Sequence, residues 1–173
     1  MSLRYLAEHA QPLLMALDLA RKEAEHLRYS HTTLFALPID LGWVQSLGEQ
    51  PALAEKVEAF VSRFGRLQDH LGEKLLPRMA ALVGERSKTL LDTLAIAEKL
   101  GLLASSDAFI AARKLRNALV HEYMQDAQTF LESLLAAQQA CLLFLEVIQN
   151  VQAECVRLEL PTGEFTTQRP AIL

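Results

Sequence analysis

The stretch RKLRNALVHEYM (residues 113–124) reads as an amphipathic helix with a charge in its apolar row. At about 100° per residue, Phe109, Ala112, Leu115, Arg116, Leu119 and Tyr123 fall on one stripe. A guanidinium in a stripe that must cover a core is costly unless a carboxylate or phosphate meets it. Asn117 and His121, four apart, stack on the neighbouring flank. Arg116 and His121, five apart, point about 140° away from each other and do not share a face. One account of the pattern is structural: Arg116 snorkels from a bundle edge and His121 sits at a helix end. The other is chemical. Arginine offers a bidentate fork to phosphate, and histidine moves a proton near neutral pH. With an amide and a phenol close by, such a group suits binding and cleaving a phosphodiester without a metal.

Reading outward, SSD (residues 105–107) is an N-cap signal for this helix, which is expected to run to about Met124. Asp126 then caps a long final helix to about Leu158. That helix contains SLLAAQQACLLFL (residues 133–145), a run bounded by Glu132 and Glu146 that is too short and too rich in glutamine to span a bilayer. Upstream, Leu6, Ala10, Leu13, Leu14, Leu17 and Ala20 predict a first helix over about 3–27. RYSHTTLFALPIDLGW (residues 28–43) breaks it, and Asp40 caps a short helix reaching about Leu47. Pro51 opens a second long helix, tolerated at a first helical position, with Val57, Phe60, Phe64, Leu67 and Leu71 on one side. Gly72 and Pro77 kink or end it. A third helix is expected over about 85–100, with Leu90, Leu91, Leu94, Ala95 and Ala97 inward and Gly101 as its C-cap. The tail ELPTGEFTTQRPAIL (residues 159–173) has turn residues and no helical period, and is expected to be extended or poorly ordered. No repeat, phosphate loop or strand alternation appears. The expectation is all-α: an antiparallel up-and-down helical bundle of four main helices plus a short extra one, forming a single domain over 1–158.

Composition agrees. The chain has 173 residues, 51% hydrophobic and 22% charged, with only 7 glycines and 6 prolines to break helices. Its net charge of −4 makes it a poor generic nucleic-acid binder, since nonspecific affinity comes from phosphate neutralisation. Any RNA contact has to be local, and Arg113, Lys114 and Arg116 are the compact basic group near the motif. Cys141 and Cys155 lie on one helix, too far apart to bridge, in a hydrophobic setting that favours core thiols over nucleophiles. With no signal peptide in view, this points to a reducing, cytoplasmic setting. The histidines His9, His26, His31, His70 and His121 form no metal-ligand spacing, so neither a metal nor another cofactor is expected. SRFGRLQDHLGEKLLP (residues 62–77) is polar for the middle of a helix. It is either a solvated face or a place where Asp69 or Gln68 turns inward to hold a buried cation.

RNALVHEY (residues 116–123) resembles the Arg-x4-His-x-Tyr signature of the HEPN superfamily, in the branch of HepT-like toxins encoded beside minimal nucleotidyltransferases. Arg116, Asn117, His121 and Tyr123 match its arginine, polar neighbour, histidine and tyrosine. The resemblance implies a helical-bundle homodimer whose motifs face each other across a cleft, and metal-independent cleavage of an RNA substrate. The histidine would do acid–base chemistry and the arginine would hold the scissile phosphate. It also implies a minimal nucleotidyltransferase antitoxin as partner, with Tyr123 as the residue it adenylylates. Two alternatives stay open: a non-catalytic, nucleotide-binding partner subunit of a nucleotidyltransferase, or a helical scaffold in which Arg116 pairs with a carboxylate such as Asp69.

Overall fold

A computed structural model of the chain describes residues 4–121, 123 and 125–161. The described residues are all-α, with no strand among them. A 3-10 turn (Ala7–His9) leads into α1 (Ala10–Leu34), followed by α2 (Leu41–Gln45), a second 3-10 turn (Ser46–Glu49) and α3 (Pro51–His70). A π-helical segment (Leu71–Leu75) joins α3 to α4 (Leu76–Leu82). The remaining helices are α5 (Leu90–Lys99), α6 (Ser106–His121) and α7 (Ala127–Arg157). The most extensive pairings are α1 with α3 and α6 with α7.

Helix starts lie where local chemistry puts them. Asp40 accepts from the Trp43 amide at 2.8 Å, Asp126 from the Thr129 amide at 3.0 Å, and Ser105 Oγ from the Ala108 amide at 3.2 Å. Each fills one of the donors that a first turn leaves unpaired. Pro51 stands at the head of α3. Gly101, at φ +72°, takes the left-handed conformation just past α5 that closes a helix C-terminus.

Several boundaries differ from expectation, beginning with the first helix, which opens at Ala10 behind a 3-10 turn rather than near residue 3. It continues to Leu34, because Leu27, Ser30 and Leu34 keep the buried period and Thr33 Oγ1 ties back to the Tyr29 carbonyl at 3.0 Å. The third helix opens at Leu90 rather than near 85, on a reciprocal capping box between Thr89 and Asp92. In that frame Leu94 and Ala97 are buried, whereas Leu91 and Ala95 face solvent. Around Gly72 and Pro77, expected to kink or end the second helix, regular α3 stops at His70 and the chain continues through the wider π-helical turns of Leu71–Leu75 into α4. The expected end of the fourth helix at Met124 and the tail over 162–173 lie outside the described residues. Leu158 and Leu160 still pack on the core.

Phe60, Phe64, Phe109, Phe130 and Phe144 are fully buried and supply much of the burial that drives folding. Phe64 and Phe109 both meet Phe144, at ring-centre distances of 5.0 and 6.1 Å, which ties α3 and α6 to α7. By length and composition α7 could cross a membrane. Its buried side chains, among them Phe130, Leu134, Phe144 and Val151, belong to the core shared with α1, α2, α3 and α6.

Candidate functional site between α3 and α6

Helices α3 and α6 set the stage. A Cβ on Gly72 would touch Phe109, and one on Gly65 would touch Arg116. Val61 and Val120 line a common groove, and the charge of Glu58 reaches Tyr123. Numbers rise along α3 as their partners fall along α6, so the two helices run antiparallel. Arg116 lies over the middle of this contact.

The expected cost of Arg116 in an apolar stripe is avoided in two ways. First, the side chain crosses α3 at Gly65, where an added Cβ would stand 3.1 Å from both its Cγ and its Nε. The missing side chain is what lets a guanidinium stem lie against the helix. Second, Arg116 reaches Asp69 at 3.3 Å, and the two side chains are 40% and 34% exposed. The pair stands at a groove mouth and not in the core, so it adds little to stability. Of the two inward candidates, Asp69 holds the cation. Gln68 is the one that is buried, with no hydrogen-bond partner for its amide oxygen or nitrogen.

Around the pair lies an open groove of about 280 Å³, lined by Ser62, Gly65, Arg66, Asp69, Arg116 and Val120 among others. It brings together two guanidinium groups, a hydroxyl and one carboxylate, a set that can hold an anion once Asp69 gives way.

Arg113, Lys114, Asn117 and His121 are all exposed and share the face of α6 turned away from the buried Phe109, Ala112 and Leu119. The structure therefore brings Asn117 and His121 to one exposed flank and Arg116 to the α3 groove. It does not bring Arg116 and His121 together within one chain. Tyr123, just past the helix end, packs edge-on against Phe130 at 5.2 Å. Burial, and then the charge of Glu58, push its phenol above the usual range. Burial likewise pushes Cys141 up to about 12 and Cys155 up to about 11, so both thiols stay protonated in the core near neutral pH.

Sequence reasoning singled out Arg116 and Asp69 but not Gly65, Ser62 or Arg66 as members of one site. Gly65 carried a signal, as a lone glycine inside an otherwise unbroken helical period. Ser62 and Arg66 carried none beyond polarity. Among the described residues no three His, Cys, Asp or Glu side chains converge as a metal site requires. No family model, no curated protein and no solved structure matches the chain.

Proposed function

We propose that the chain is a HEPN-type, metal-independent endoribonuclease toxin of the cytoplasm. It would act as a homodimer of antiparallel up-and-down bundles and be neutralised by a minimal nucleotidyltransferase antitoxin. The observation that carries this reading is the placement of Arg116: seated over Gly65, paired with the partly exposed Asp69 carboxylate, and open to a groove that also holds Arg66. An arginine kept purely for packing has no need of an accessible fork. In the proposed reaction His121 takes the proton of a ribose 2′-hydroxyl, whose oxygen attacks the adjacent phosphorus. The bond to the 5′-oxygen breaks, and a histidine in the acid form protonates the leaving oxygen. Arg116 stabilises the charge that develops on the phosphate, and Asn117 orients His121 or the strand. Because His121 and Arg116 face different ways on α6, a second copy is what completes the constellation. Tyr123 is the proposed adenylylation acceptor. Its phenol is protonated near neutral pH, as any tyrosine's is, so in this proposal the transferase supplies the base.

The test is cleavage of a defined RNA by purified protein in EDTA. Cleavage should persist in the wild type and be abolished in His121→Ala and Arg116→Ala, with helical circular dichroism unchanged. Full cleavage by His121→Ala would sink the assignment. The Arg116–Asp69 pair also favours a second reading, a helical scaffold without a ligand, since the protein alone then satisfies the cation. On that reading Arg116→Met and His121→Ala are both silent in the cell, whereas a toxin loses its toxicity through either.

A further inference from the structure

Arg66 lies at the boundary of two grooves. On one side of α3 it lines the groove of Ser62, Asp69 and Arg116. On the other it lines a larger groove of about 450 Å³ between α1 and α3, together with Leu19, Lys22, Glu23, His26 and Arg63. The cations there are lightly held. Arg66 Nε is 4.0 Å from Glu23 with its side chain 60% exposed. Lys22 Nζ is 2.8 Å from Asp18 with its side chain 66% exposed. Arg63 is fixed in the wall by donating to the His26 carbonyl at 3.1 Å and to Ser30 Oγ at 2.8 Å. The Lys22–Asp18 and Arg116–Asp69 pairs are exposed enough to contribute little, so a phosphate displaces Asp18 or Asp69 at small cost and releases counterions as it binds, while Glu23, 19% exposed with its Oε2 buried, stays in the groove wall.

A single phosphate would need one groove; cations strung through two grooves that share one arginine suit a chain of phosphates. We propose that a single-stranded RNA backbone crosses α3 at Arg66, with one phosphate at Arg116 and Arg66 and its neighbours running toward Lys22 and Arg63. The track sets four cations, Lys22, Arg63, Arg66 and Arg116, in line along two grooves of an acidic protein. Its identification as an RNA track, rather than a site for another polyanion, rests on the ribonuclease reading.

The probe is a fluorescent 2′-O-methyl oligoribonucleotide, which has no 2′-hydroxyl to attack, followed by anisotropy from about 50 to 200 mM salt. Arg66→Ala and Lys22→Ala should each weaken binding roughly five- to tenfold and lower the log–log salt slope by about 0.7 for each phosphate no longer neutralised. Unchanged affinity and slope in both variants overturn the track, as does wild-type binding that ignores salt. The two proposals fail separately. Cleavage that depends on His121 without any effect of Arg66 or Lys22 on binding removes the track alone. Salt-dependent binding through Arg66 by a protein that cleaves nothing removes the ribonuclease alone.

Discussion

A methyl group at position 65 would stand 3.1 Å from Cγ and Nε of Arg116, closer than ordinary carbon contact, and it acts in two opposing ways. In the interior of α3, alanine is a better helix residue than glycine by up to about 1 kcal/mol. What it meets is a flexible arginine stem at a groove mouth, which can swing aside. Gly65→Ala is therefore expected to raise the melting temperature by about 2–4 °C, while lifting Arg116 off α3 and loosening its 3.3 Å contact with Asp69. On the proposed reading RNA cleavage falls roughly tenfold in the same variant. Thermal melts and cleavage rates measured side by side check this. A lower melting temperature with unaltered cleavage would show that the stem cannot move and that its position does not matter to activity.

At the scale of the element, α3 carries both the site and a flaw. Gln68 is fully buried, and neither its amide oxygen nor its nitrogen has a hydrogen-bond partner. An unpaired buried amide costs about 1–3 kcal/mol, and methionine has nearly the same length without the polar atoms. Gln68→Met should stabilise the fold by an amount of that order, read from urea unfolding; destabilisation would mean the amide has a partner in solution. The same helix shows how far the sequence could be read. Three helix starts were legible because caps are local: Asp40, Ser105 and Asp126 each bond an amide three residues on, whereas the equally local capping box of Thr89 and Asp92 does not stand out from the polar run before Leu90. Ends and joins were less so, because they depend on residues remote in the chain. Gly72, for example, lies where an added Cβ would meet Leu90 and Phe109 of other helices, a closeness that no pattern around Gly72 announces. Likewise, spacing within α6 showed that Arg116 needed a partner, and Asp69 stood among the candidates. No local pattern reveals that Gly65 makes room for the stem or that Arg66 faces two grooves.

For the whole molecule, groups that hold their protons differently in the folded and unfolded chain set the limits of the stable pH range. Burial holds His31 below its ordinary value of 6.5, and its ring packs on Phe35 at 5.2 Å. Between those two values the unfolded chain keeps a proton that the folded chain releases, so stability is full above about 6.5 and falls as the pH drops through that window. Asp126, Glu98 and Glu154, held low mainly by Thr129, Ser106 and Arg157, act further down, below their ordinary 3.8 to 4.5. On the alkaline side the sign reverses. Unfolded thiols ionise near 9.0, whereas Cys141 and Cys155 hold their protons up to about 12 and about 11. The unfolded state then carries fewer protons, and stability declines as the pH rises above about 9. Urea unfolding across this range should give a plateau between the two limbs. His31→Gln should flatten the limb just below 6.5 without altering the alkaline one. Replacing both cysteines by alanine lowers the plateau through the cavities it leaves, but should flatten the alkaline limb. A limb that keeps its slope in the matching variant would assign the proton uptake or release to another group.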